Sequence, residues 1–117
     1  MDGHTILIIE DHQPTASALQ RLLGASNFIT VAVSSIAEAR RLMESQRVDL
    51  VITDLHLPDG DILPFIPELR ERQPRIIAVT GSELLQPSDC EKLGLISCLR
   101  KPVSYDELYA AILAAMQ

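Results

Sequence analysis

Five polar groups in this chain stand just beyond short apolar runs: Glu10 and Asp11 after TILII, Asp54 after DLVIT, Thr80 after RIIAV, and Lys101, followed by Pro102, after LISCL. Taken singly, each is what a strand end meeting water often carries. Taken together, two acids, a third acid, a hydroxyl and a lysine form a set that can do chemistry. Two carboxylates about 4 Å apart repel by roughly 4 kcal/mol at an effective dielectric near 20, so three acids in one place need positive charge among them. Lys101 supplies one charge. A hard divalent ion held by one or two carboxylates, a carbonyl and several waters would supply the rest, in the manner of Mg²⁺. Mg²⁺ and lysine both neutralise charge on transferring phosphoryl oxygens, and a hydroxyl such as that of Thr80 can donate to one of them. The chemistry that suits the set is phosphoryl transfer.

Such a set works only if the fold brings it to one edge. Five apolar runs recur along the chain, Thr5 to Ile9, Phe28 to Val33, Asp49 to Thr53, Arg75 to Val79 and Leu95 to Leu99, and they read as strands buried on both faces, as in a parallel sheet. The segments between them carry helix signals. Pro14 opens a stretch in which Leu19, Leu22 and Leu23 share a face, and Gly24 is expected to stop it. Ser35 with Glu38, Ser88 with Glu91 and Ser104 with Glu107 each match a capping box, the last ahead of the stripe Leu108, Ile112, Met116. Gly94 would end the fourth helix. Pro64 and Pro67 both remove backbone donors from ILPFIPELRER, so the third helix is expected to begin only at Pro67. Strand and helix alternating five times predicts one doubly wound α/β domain over residues 1–117, with right-handed crossovers and ligand sites at the carboxyl ends of the strands.

Bulk properties narrow the function. A chain of 117 residues supports one core, and 47% hydrophobic with 22% charged residues is ordinary globular usage. A formal charge of −6 opposes a polyphosphate backbone, so direct nucleic-acid binding by this domain is not expected. No apolar run reaches the roughly 18 residues of a membrane span and no basic segment leads into an apolar stretch, which makes a cytoplasmic location the expectation. Cys90 and Cys98 lack metal-site or framework spacing and are expected to remain thiols.

With these residues in view, the chain resembles, over essentially its full length, the receiver domains of two-component response regulators and hybrid histidine kinases. ILIIEDH is similar to the first strand with its acidic pair, VITDLHLPDG to the phosphorylation-site motif, AVTGS to the hydroxyl-bearing end of the fourth strand, and LRKP to the lysine-proline signature. The resemblance implies a flavodoxin-like sheet of order 2-1-3-4-5. It implies that Asp54 accepts a phosphoryl group from a histidine kinase phosphohistidine, a phosphotransfer protein or a small acyl phosphate, with slow hydrolysis afterwards. Mg²⁺ would be held by Asp11, Asp54 and the backbone carbonyl of His56, with Glu10 reaching it through water. Lys101 would pair with Asp54 and then with the phosphoryl group, Thr80 would move in to bond it, and the Lys101-Pro102 peptide would be cis. Such a domain is a signalling switch rather than an enzyme, and a homodimer through the fourth and fifth helices is one form it takes.

Departures from the pattern matter. The family usually has an aromatic residue three positions before the lysine, and here that position is Cys98, for which a small core residue is the favoured reading over a redox role. His56, with Ser82 across the site, is a candidate modulator of water attack on the phosphorylated acid, against the alternative of a solvent-facing ring. His4 and His12 read as surface residues. Asp59 and Asp61 are expected to shape the turn at Gly60 and cap the third helix rather than bind metal. Leu84, Leu85 and Pro87 suggest an apolar contact patch beyond Thr80. Two other function classes compete: a receiver-like docking module that does not depend on phosphate, and a small Mg²⁺-dependent phosphohydrolase. The missing aromatic favours the first. The second wants D-x-D at its nucleophile, where this chain has Asp54, Leu55 and His56.

Overall fold

The computed structural model describes residues 3–73, 75–81 and 87–117, and of residues 87 and 88 the backbone only. Strand β1 (Thr5–Ile9) leads into helix α1 (Gln13–Ala25), β2 (Ile29–Val33), α2 (Ile36–Ser45) and β3 (Leu50–Thr53). A short hairpin, His56–Leu57 against Gly60–Asp61, and a 3-10 turn, Leu63–Phe65, precede α3 (Ile66–Arg72). The chain closes with β4 (Ile76–Thr80), α4 (Pro87–Lys92), β5 (Ser97–Arg100) and α5 (Tyr105–Ala115). The five main strands are parallel in the order β2-β1-β3-β4-β5, the doubly wound arrangement expected of the sequence.

Why these runs become strands is visible in their burial. Side chains alternate across a strand, so a run that is apolar at every position must bury both faces. Leu7, Ile9, Val51 and Ile76 face Ala39 and Met43 of α2 and Leu69 of α3. Ile6, Ile8, Ile52, Ile77 and Val79 face Leu23 of α1 and Leu108 and Ile112 of α5. Each fully buried isoleucine or leucine contributes on the order of 1.5–3 kcal/mol relative to an exposed one, and the two half-cores together hold the sheet between its helices.

Three local expectations need correction. Gly24 lies inside α1, which runs on to Ala25, and the left-handed residue that turns the chain is Asn27 at φ 71°. Asparagine tolerates that conformation, so the turn could be delayed by three residues. Leu22, expected on the inner face with Leu19 and Leu23, is 41% exposed, since the buried stripe of α1 is narrow there. Pro64 does not push the third helix back to Pro67. It sits in the 3-10 turn, and α3 starts at Ile66 with Pro67 in its first turn, where the missing amide costs no helical hydrogen bond.

The caps at Ser35 and Ser104 form as expected, their hydroxyls accepting from the amides of Glu38 and Glu107 at 3.2 and 3.1 Å. Gly94 follows α4 at φ 81°. The side chain of Ser88, and Leu84, Leu85 and Ser82, lie outside what is described, as does the side chain of Pro87, so the patch proposed there is not addressed. Among the described residues, no helix is long and apolar enough to cross a membrane.

Candidate functional site

The carboxyl ends of β1, β3, β4 and β5 meet at one edge, and the register explains why. Ile9 pairs with Thr53, and the amide of Asp54 donates to the Ile9 carbonyl at 3.1 Å, which sets Asp54 beside Glu10. Ala78 of β4 pairs with Thr53 of β3, so Thr80, two residues on, reaches the same level as the loop after Asp54. Thr80 pairs with Arg100, and its carbonyl accepts from the Lys101 amide at 2.8 Å. Lys101-Pro102 is a cis peptide, as the resemblance implied.

Within this edge the ligand-capable oxygens of Glu10, Asp11 and Asp54 lie within 4.8 Å of one another. Glu10 is buried, Asp54 half-buried and Asp11 exposed. The Lys101 ammonium donates to Asp54 Oδ2 at 2.9 Å and to Glu10 Oε1 at 3.3 Å. The other oxygen of Asp54, Oδ1, accepts from the Leu55 amide at 2.7 Å and the His56 amide at 3.4 Å. The Thr53 hydroxyl donates to the Asp54 carbonyl at 2.7 Å and fixes the backbone on the other side. Every strand-end residue singled out above is thus brought to one edge.

Burial is the largest single influence on Lys101 and works against its charge. Hydrogen bonding and attraction by Asp54, then attraction by Glu10, together outweigh it, and the lysine pKa is raised. Three carboxylates against one ammonium leave two negative charges, which one Mg²⁺ would balance. Hard oxygen donors with that residual charge fit such an ion, and Asp11, Asp54 and the His56 carbonyl are the residues that would hold it.

Other candidates resolve differently. Cys98 packs into the half-core on the α2–α3 side, and burial, then a hydrogen bond with Cys90, push its thiol pKa up. A thiol so placed stays protonated, which supports the core reading over reactivity. His56 is exposed, and its Nδ1 lies 2.7 Å from Asp61 Oδ1. Asp59 does not cap the third helix. Its two oxygens accept from the amides of Ile36 and Ala37, both at 3.0 Å, at the start of α2. That contact was beyond sequence reasoning, because nothing local to Asp59 marks a helix more than twenty residues earlier as its neighbour. His12, read as surface, is indeed exposed; it stands at the N-cap position of α1, where its side chain makes no cap bond and its Nδ1 lies 2.6 Å from the Thr15 hydroxyl.

A cavity of about 690 Å³ opens beside the acids, between Pro14, Ala18 and Leu19 of α1 and Val103 and Leu108 of the α5 segment. Its walls are mainly apolar, with Asp54 and Lys101 at the rim.

Residues 6–113 match the model of the response regulator receiver domain. The chain belongs to this family. The photosynthetic apparatus regulatory protein RegA of Cereibacter sphaeroides is 28% identical over 113 residues, covering 94% of this chain and 61% of RegA. This chain therefore spans less than two thirds of that relative. A response regulator receiver domain from Clostridium thermocellum superposes with a TM-score of 0.85 at 29% identity, over 97% of this chain and 94% of that one. A Burkholderia pseudomallei response regulator, solved with a phosphorylated aspartic acid, calcium ion and citrate, gives 0.82 at 28% identity, over 97% of this chain and 66% of that one. The receiver identity settles the family and the doubly wound fold, and with them a place in two-component signal transduction.

Proposed function

We propose that this receiver domain accepts a phosphoryl group on Asp54 from the phosphohistidine of a sensor histidine kinase or phosphotransfer protein, in the presence of Mg²⁺, and acts as a switch rather than as an enzyme. The observation that carries the reading is the division of labour on the Asp54 carboxylate. Oδ1 is held by the Leu55 amide and Oδ2 by Lys101, so the group is oriented with charge support already at its side. One carboxylate oxygen attacks phosphorus in line, the bond from phosphorus to the histidine nitrogen breaks, and the new acyl phosphate remains on Asp54. Lys101, tethered through its own amide to Thr80, shifts its ammonium from Asp54 and Glu10 to a phosphoryl oxygen. Thr80 supplies a hydroxyl to another. Mg²⁺, when bound, neutralises phosphoryl oxygens and keeps the three acids from repelling one another. The phosphorylated aspartic acid and calcium ion of the Burkholderia pseudomallei relative support an aspartate as the acceptor and a divalent ion in such a domain. The apolar cavity along α1 suits an apolar side chain of the donor as it brings its histidine to the rim.

A cytoplasmic setting and a cognate kinase are part of the same proposal. A second reading, a docking module that does not depend on phosphate, draws on Cys98, since a small packed thiol cannot swing as an aromatic does. Intact-mass measurement after incubation with acetyl phosphate separates the two. One phosphoryl addition in the parent, absent with a chelator and absent in Asp54→Asn, is expected. No addition in the parent would favour the docking module.

A further inference from the structure

We infer that Asp59, which lies outside the acidic cluster, positions the backbone carbonyl of His56 for a divalent cation by pinning the tip of the loop after Asp54 to the first turn of α2. The inference rests on the Mg²⁺ reading above. At its base this loop is secured by Asp54 Oδ1, which takes the amides of Leu55 and His56, and by the Ile62 amide on the Leu55 carbonyl at 2.9 Å. Beyond the base, His56 and Leu57 pair with Asp61 and Gly60, and the hairpin goes no further. A hairpin that short is not stable by itself in water, and Leu55 and Leu57, buried in the core on either side of His56, hold its inner side. The ring of His56 reaches Asp61, but both side chains are more than half exposed, 66% and 58%, so that bond is a weak anchor.

Asp59 at the tip is exposed as well, and differs in making two bonds to backbone rather than one to a side chain. Its two oxygens take two adjacent amides of a helix that is itself fixed, since Ala39 and Met43 bury α2 against the sheet. Those bonds also hold the Asp59 carboxyl below its ordinary pKa. Ser35 takes the Glu38 amide and Glu38 reaches back to the Ser34 and Ser35 hydroxyls, which leaves the Ile36 and Ala37 amides to an acceptor from elsewhere in the chain. Asp59 takes the two amides that Ser35 cannot reach, and does so from the loop that carries His56. The same contact ties the cation site to α2, and the cleft of about 410 Å³ between Arg40, Asp59 and Phe65 marks the seam.

Calorimetric titration of Mg²⁺ into the full chain tests this, with thermal unfolding of each variant alongside. Groups that orient a ligand from outside typically change metal affinity by about 10- to 100-fold, and Asp59 acts at one remove, so Asp59→Ala is expected to weaken Mg²⁺ by about tenfold. Ser35→Ala, which uncaps the same helix without touching the loop, and Glu38→Gln, which removes a negative charge at the same helix end, are expected to bind as the parent does. Should Asp59→Ala fail to fold, Asp59→Asn, which keeps one acceptor oxygen, is read in its place with a smaller loss expected. Unchanged affinity in the Asp59 variants overturns the inference, as does an equal loss in Ser35→Ala or Glu38→Gln. A parent that binds no Mg²⁺ overturns both this inference and the function proposed above.

Discussion

At the scale of single residues, the account turns on Asp54 and Lys101. The 2.9 Å bond between them gives the lysine two tasks, balancing the acids at rest and a phosphoryl oxygen during transfer. Replacing Lys101 with Met removes the second task, so phosphorylation by acetyl phosphate is expected to slow by about 100-fold or more, the scale of losing one aimed charge in a transition state. Time-resolved intact mass reads the rate, and a rate within a few-fold of the parent would remove Lys101 from the chemistry. The raised pKa of Lys101 also gives a pH dependence of known sign. Its folded value lies above the ordinary 10.5, so its stabilising bonds are fully present below 10.5 and are lost only as pH rises through the higher folded value. Stability across the neutral range should therefore not depend on this lysine's titration, and urea midpoints at several pH values below 10 check that. That these residues would meet at one edge could be read from the sequence because they follow strand runs directly. The His56–Asp61 bond could not, since whether a turn brings two side chains together depends on a hairpin that the residues of DLHLPDGD do not by themselves specify.

At the scale of elements, the start of α2 is the place where acid should act first. Asp59 is held below its ordinary pKa by the Ile36 and then the Ala37 amide, and Glu38 below its own by the Ser34 hydroxyl, against burial. Groups with depressed folded pKa contribute stability that is present above their ordinary values of 3.8 and 4.5 and is lost as pH falls through the folded ones. Hydrogen exchange at pH 3 should show the first turn of α2 opening before α5, and Asp59→Asn should lessen the difference between pH 7 and pH 3. Equal protection of both helices at pH 3 would contradict this. The three central strands were the most legible elements, because a run apolar at every position has few alternatives to a two-sided burial; the edge strands β2 and β5, expected to be buried alike, are only partly so, with Ile29 52% exposed. Helix ends were less so. Gly24 carries the ordinary stop signal, yet α1 continues because Ser26 and Asn27 complete the turn through bonds to Leu23 and Gly24.

At the scale of the whole molecule, two half-cores lie on either side of one sheet, and the site sits where their shared strands end. Truncating a central residue should cost the whole domain. Ile8→Ala, fully buried between α1 and α5, is expected to lower unfolding free energy by about 2–5 kcal/mol, measured by urea denaturation. Mg²⁺ should work in the opposite direction: at about a hundredfold excess over its dissociation constant a ligand confined to the folded state adds about 2.7 kcal/mol. That gain should vanish in Asp11→Asn, where a ligand carboxylate of the cluster is gone.

The most direct test of the central claim is to locate the phosphoryl group. An acyl phosphate on an aspartate is reduced by borohydride to homoserine, which peptide mass spectrometry can place in the sequence. After treatment with Mg²⁺ and acetyl phosphate, homoserine is predicted at position 54 and at no other acid. Homoserine at Asp11, the one-carbon-longer hydroxynorvaline at Glu10, or neither at any position in a protein that has gained a phosphoryl mass, would contradict the account.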